Sequence, residues 1–148
     1  MYVIEDAMKR LFLVIPVALI IWAGCSKKDE IKLTAFGTEA FAYGMGDSSE
    51  VDATTRVKGF KQDKKNNLYS SAISYYIDLI TPVGDTVKSI VSRVVDKSSI
   101  ERLSDTELDV QFDISPAFIK GKYKLVFNIN DALSGASASS TANFDLGN

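Results

Sequence analysis

Two stretches in the C-terminal half of the chain alternate between apolar and polar residues one by one. In Leu108–Ile114 every second residue is apolar, starting at Leu108, and in Lys122–Asp131 the same pattern starts at Tyr123. Because successive side chains of a strand point to opposite faces, this period of two predicts strands with one buried face. A sheet with one apolar face has to bury it against a second layer. The pattern therefore points to packed sheets.

Further strand candidates are spread over residues 35–148. They are Ala35–Tyr43, Val51–Lys61, Leu68–Thr81, which is apolar enough on both faces to be a central strand, and Ala138–Leu146. Gly44–Asp47 and Pro82–Asp85 are typical turn sequences, and we expect Gln62–Asn67 to be an exposed loop tip. Ser115-Pro116 predicts one helical turn that ends at Gly121 and joins strands of different sheets. Several short strands with little helix predict an all-β fold, an antiparallel β-sandwich.

The segment from Val87 to Val95 fits two structures. Its apolar residues at positions 87, 90, 91, 94 and 95 have the spacing of one helix face, but they suit a strand as well. Periodicity alone does not decide so short an apolar run. The high content of β-branched residues favours the strand.

The sequence around Tyr123 carries a more specific signal. In Gly121-Lys122-Tyr123-Lys124-Leu125 a tyrosine stands near the start of the penultimate strand, two residues before a core position. This arrangement resembles the tyrosine corner of immunoglobulin-like domains, with Leu125 where antibody domains have cysteine. Residues 121–146 look like the last two strands of bacterial immunoglobulin-like modules. The resemblance implies an immunoglobulin-like β-sandwich over residues 35–148.

The N-terminal segment has the features of a secretory signal peptide. Thirteen residues from Leu11 to Ala23 carry no charge, which is too short to span a membrane comfortably. Lys9-Arg10 precedes this run, and small residues follow it, as a signal peptide requires. Because Glu5 and Asp6 oppose the positive start of such a signal, we expect translation to begin at Met8.

The end of this segment, Trp22-Ala23-Gly24-Cys25, contains the only cysteine of the chain. It resembles the lipobox of bacterial lipoproteins, although that family usually has an aliphatic residue where this chain has Trp22. The resemblance implies a signal peptide over residues 1–24, cleavage between Gly24 and Cys25, and lipidation of the Cys25 thiol. Two or three acyl chains would hold the protein on a membrane essentially permanently. The alternative is a buried free thiol that ends a core helix.

Residues 25–34 are then a short polar tether. Ser26 follows the cysteine, whereas an Asp at this position would resemble an inner-membrane retention signal, so the outer membrane is favoured. Lys28-Asp29-Glu30 resembles the export tag that sends some lipoproteins of gliding and gut-dwelling Gram-negative bacteria to the cell surface. A merely solvated linker explains the same charges.

The residue counts exclude several classes of function. The chain has no histidine, one cysteine and a formal net charge of −2, with 17 Lys and Arg against 19 Asp and Glu. Ser-His-Asp and Cys-His catalysis, histidine-ligated zinc or haem and an intrachain disulfide are therefore excluded. The charge balance leaves no extended basic surface for nucleic acid. We predict that the protein is not an enzyme, has no cofactor or metal, and does not bind nucleic acid.

Two groups of polar residues are candidates for chemistry. Asp109 and Asp113 face the same side of one strand, at a spacing that suits calcium or acid–base work but is also common on a solvated face. Asn128, Asn130 and Asp131 carry oxygen atoms that can bind a cation, although no calcium-loop pattern is present. Neither group has a converging partner in the sequence.

Aromatic residues are the remaining candidates, because they can stack on sugars or peptides, although most are expected in the core. They are Phe41, Tyr43, Phe60, Tyr69, Tyr75 and Tyr76. Taken together, the sequence predicts a lipid-anchored envelope protein, a non-catalytic module that binds or scaffolds another envelope protein or a surface glycan. The alternatives are a carbohydrate-binding accessory lipoprotein, which requires a row of exposed aromatics, and a hydrolase that uses carboxylates alone.

Overall fold

The computed structural model describes residues 32–147, which form eight strands and contain no helix long and apolar enough to cross a membrane. The predicted signal peptide, the cleavage site, Cys25 and most of the tether lie outside the described residues. In chain order the strands are β1 (Thr34–Met45), β2 (Ser48–Lys58), β3 (Asp63–Lys65), β4 (Leu68–Ile80), β5 (Thr86–Ser99), β6 (Asp105–Ile114), β7 (Gly121–Asp131) and β8 (Ser137–Leu146).

The strands form two antiparallel sheets, which confirms the all-β sandwich. The first sheet has three strands in the order β1-β2-β6. The second has five strands, in which β3, β4, β7 and β8 follow one another and β5 pairs with β4. The predicted turn between β6 and β7 is also confirmed, since the Phe118 amide donates to the Ser115 carbonyl at 3.0 Å and the chain there passes from one sheet to the other.

Two loop predictions were wrong in their extent. Gln62–Asn67 is an exposed hairpin and not a plain loop, because Asn66 and Asn67 both have positive φ and so form the two-residue turn between β3 and β4. The turn after β1 is likewise tighter than predicted. Met45 pairs with Ser48, so only two residues connect the strands, and Gly46 supplies a φ of 69°.

The segment that suited either a helix or a strand is a strand. It forms β5, which pairs only with β4 within residues 32–147. Ser89 interrupts the strand with a φ of 52°, and its amide donates to the Asp78 carboxylate at 2.8 Å. As an edge strand, β5 leaves Val94 66% exposed, which explains why its apolar residues lack the strict alternation of the central strands.

The core lies between the two sheets and is built from the alternating residues of the central strands. Tyr123, Leu125 and Phe127 of β7 are almost fully buried, and burying each such side chain is worth about 1.5–3 kcal/mol. Tyr123 stacks on Phe144 with the ring centroids 5.4 Å apart. Its hydroxyl donates to the Ile119 carbonyl at 2.6 Å, a bond back to the preceding backbone of the kind that a tyrosine corner makes.

Candidate binding groove

The outer face of the five-stranded sheet presents two rows of small polar side chains. The strand register sets residues of four strands side by side, so that each row crosses the sheet. The first row is Ser92, Tyr76, Asn128 and Ser139, and the second is Val94, Ser74, Asn130 and Ser137. All of these except Val94 line a groove of about 490 Å³, which we call the polar groove. Its size is in the range of ligand sites.

The groove combines amides, hydroxyls and one aromatic ring. Tyr76 is 44% exposed, so its ring is available to a ligand, and the serines leave space beside it because they are small. The two rows contain no charged side chain. The polar groove therefore suits a neutral ligand that has hydrogen-bonding groups and an apolar face.

Hydrogen bonds between side chains orient the two amides of the groove. The Asn128 amide donates to the Asp78 carboxylate at 3.2 Å, and Asp78 also accepts from the Ser89 backbone. The Ser137 hydroxyl donates to the Asn130 amide oxygen at 3.3 Å. Polar groups that are held in this way lose less conformational entropy when they bind a ligand.

Asp131 does not belong to this groove, although the sequence grouped it with Asn128 and Asn130. Its side chain is fully buried at the end of β7. The carboxylate accepts hydrogen bonds from the backbone amides of Lys61, at 2.7 Å, and Leu133, at 3.0 Å, and from the Ser134 hydroxyl. These donors satisfy the carboxylate, so Asp131 fixes the turn between β7 and β8 and leaves no open side for a cation.

Asp109 and Asp113 are exposed on the outer face of the three-stranded sheet, as their alternation indicates. Neither lines the polar groove. Within residues 32–147, no three acidic or cysteine side chains come together in a way that could hold a metal ion. The structure places Glu50 opposite Asp113, but it gathers no metal-binding group around this pair within the described residues.

The six candidate aromatic residues divide between core and surface. Phe60 and Tyr75 are buried and Tyr69 is partly buried, whereas Phe41 and Tyr43 are exposed on β1 and Tyr76 on β4. The Tyr75 hydroxyl donates to the Asp109 carbonyl at 2.6 Å. Burial raises the pKa of this hydroxyl, and nearby Arg93 partly opposes the shift.

Sequence reasoning missed the serines of the polar groove. Ser74, Ser92, Ser137 and Ser139 attract no attention singly, because serine is common on any solvated strand. Only Ser74 lies between two buried residues, Ile73 and Tyr75, so the alternation of the strand indicated the outer face for this serine alone. The sequence did not tell which of them lie opposite Tyr76 and Asn128.

Comparison with known proteins does not identify a ligand for the polar groove. No protein-family model matches the chain, and no curated protein matches it. Among solved structures, one described as "Structure of the N-terminal domain of PorA" is similar over 72% of this chain and 84% of that chain, with 12% sequence identity and a TM-score of 0.36. A likeness at this level has no bearing on function.

Proposed function

We propose that this protein is a lipid-anchored, non-catalytic binding module of the bacterial cell envelope, held on the outer membrane and open to the cell surface. The observation that carries the binding role is the polar groove, a concave and uncharged site on a sheet face that the core does not use. The anchor is supported by the sequence of residues 1–25, in which a basic flank, an apolar run and small residues before Cys25 agree.

An immunoglobulin-like arrangement of the domain is part of the proposal. It is supported by the separation of β1-β2-β6 from β5-β4-β7-β8 and by the bond from the Tyr123 hydroxyl to the Ile119 carbonyl. Such domains serve many unrelated functions, so the architecture does not choose the ligand. The choice rests on the side chains of the groove.

A neutral glycan of the envelope is the second, narrower candidate. It is favoured by the exposed ring of Tyr76 next to the oriented amides of Asn128 and Asn130. A sugar ring offers an apolar face for the tyrosine and hydroxyls for the amides. The binding surface would then depend on one ring, because Tyr75 is in the core and Tyr69 is partly buried.

The groove is tested with Tyr76→Ala and Asn128→Ala in the purified protein. We expect each variant to weaken binding to neutral envelope polysaccharide by roughly tenfold, since each removes a ring or an amide worth about 1–2 kcal/mol in a binding site. Titration calorimetry measures the change. Tyr43→Ala removes a similarly exposed tyrosine from the other sheet and serves as the matched control. Equal affinities for all three variants and the wild type would rule out the groove as the glycan site.

The anchor is tested by replacing Cys25 with Ala or Ser. We expect either variant to lose its fatty acyl groups and to keep its leader, because the cysteine thiol is the only group in the chain that this modification uses. Mass spectrometry of protein extracted from membranes measures both changes. Wild-type protein that retains its leader up to Gly24 and carries no acyl group would contradict the anchor but would not affect the proposal for the groove.

A further inference from the structure

The outer face of the three-stranded sheet differs sharply between its two ends. One end carries five carboxylates and two exposed aromatic rings, and we call it the acidic face. It consists of Glu39, Phe41, Tyr43, Glu50, Asp52, Asp109 and Asp113. The other end carries Arg56 and Lys58 together with Asp105 and Glu107, so that its charges balance. No lysine or arginine stands in the strand positions of the acidic face.

The register forces like charges together on the acidic face. Glu50 of β2 lies directly opposite Asp113 of β6, at a cross-strand spacing that destabilises a pair of like charges. Asp52 follows two residues after Glu50 on the same face. Within the described residues none of these carboxylates forms an ion pair, and the pair between Arg56 and Asp105, at 2.7 Å, belongs to the other end. No ion pair among residues 32–147 offsets this repulsion.

The aromatic rings of β1 indicate which kind of side chain the acidic face can bind. At the balanced end, the ring of Phe36 lies beneath two cations, with Arg56 at 5.9 Å and Lys58 at 5.4 Å from its centroid. Phe41 and Tyr43 project from the same strand onto the acidic face and are 53% and 50% exposed. No described cation covers either of them. Cations bind the faces of such rings, and the surrounding carboxylates strengthen the attraction.

We propose that the acidic face docks a cationic protein surface, whose arginine and lysine side chains cover Phe41 and Tyr43 and neutralise the carboxylates around them. Charge complementarity selects this partner, since none of the strand positions that form the face holds a lysine or an arginine. Arginine suits the site best, because its planar guanidinium both stacks on aromatic rings and pairs with carboxylates. The site lies on the sheet opposite to the polar groove and does not rest on the function proposed for that groove.

The experiment uses the purified protein and a fluorescent peptide of alternating arginine and glycine residues, with fluorescence anisotropy as the readout. We expect the wild type to bind the peptide, and Phe41→Ser/Tyr43→Ser and Glu50→Gln/Asp113→Asn each to weaken binding by about tenfold. Higher salt should weaken binding to the wild type more than to the variant that lacks the two charges. Glu50→Gln/Asp113→Asn should also unfold at a higher denaturant concentration than the wild type, because the repulsion is relieved, so that a loss of binding cannot be attributed to unfolding.

The matched control is Glu101→Gln/Asp145→Asn, which removes two exposed carboxylates outside the acidic face. It should change the affinity less than twofold, because only the neighbours of Phe41 and Tyr43 contribute to the site. Absence of peptide binding by the wild type, or an equal loss in the control, would overturn the proposal. So would sedimentation data showing that two copies of the wild type associate through Phe41 and Tyr43, since a second copy would then be the occupant.

Discussion

Replacing Asp131 with Ala should lower the free energy of unfolding by about 4 kcal/mol, because the substitution removes a buried carboxylate that accepts from two backbone amides and a hydroxyl at once. The Asp131 carboxylate accepts from the Lys61 and Leu133 amides and from the Ser134 hydroxyl, in a fully buried position. The two amides cannot turn to solvent without moving the backbone. A loss of this size is a large share of the 5–15 kcal/mol that stabilises a typical domain.

Urea unfolding followed by intrinsic fluorescence measures this loss. Asp131→Asn should lower the free energy of unfolding by roughly half as much. The amide keeps one oxygen as an acceptor, but its NH2 group faces hydrogen-bond donors that the second carboxylate oxygen had accepted from. Asp145→Asn, which neutralises an exposed aspartate on the neighbouring strand β8, is the control and should change stability by less than about 0.5 kcal/mol. If Asp131→Ala were as stable as Asp145→Asn, the turn between β7 and β8 would not depend on the Asp131 carboxylate.

The second large effect is a loss of stability in alkali. Burial raises the pKa of both Tyr75 and Tyr123 above the ordinary value of 10.0. Below pH 10 these tyrosines are protonated in the folded and the unfolded state alike, so they contribute nothing to the pH dependence. Above pH 10 the unfolded chain loses protons that the folded protein keeps. Stability should then fall by up to about 1.4 kcal/mol per pH unit for each of the two tyrosines.

Urea unfolding at a series of pH values from neutral to strongly alkaline checks this slope. Tyr75→Phe/Tyr123→Phe should be less stable at neutral pH, because the bonds to the Asp109 and Ile119 carbonyls are lost, but its stability should depend less on pH. Tyr76→Phe changes an exposed tyrosine and should leave the slope as it is in the wild type. A double variant with the wild-type slope would mean that other groups cause the alkaline unfolding.

Much of the fold could be predicted from the sequence, because burial repeats with the period of a strand. The buried faces of β6 and β7 are those that the alternation of Leu108–Ile114 and Lys122–Asp131 indicated. The short strand β3 was missed, since three exposed residues carry no periodicity. The structure shows it through the two-residue turn at Asn66 and Asn67. The lipid anchor at Cys25 remains a prediction.

The candidate sites could be predicted only in part. Asn128 and Asn130 were singled out for their oxygen atoms, but they line a neutral groove, and Asp131 beside them supports a turn. Asp109 and Asp113 were recognised as outward-facing, while their place among further carboxylates and two aromatic rings was not. In both cases the missing information concerned residues that are distant in sequence.

By itself, the sequence determined which side of the clearly alternating strands is buried and roughly where the chain turns, because both depend on neighbouring residues. Only the tertiary structure decided which outward side chains meet, such as Tyr76 with Asn128 or Glu50 with Asp113. The physical reason is that alternation repeats every two residues. A strand shifted by two residues keeps the same buried face but changes every cross-strand partner, and the choice between such registers is made by turns and packing across the whole sandwich.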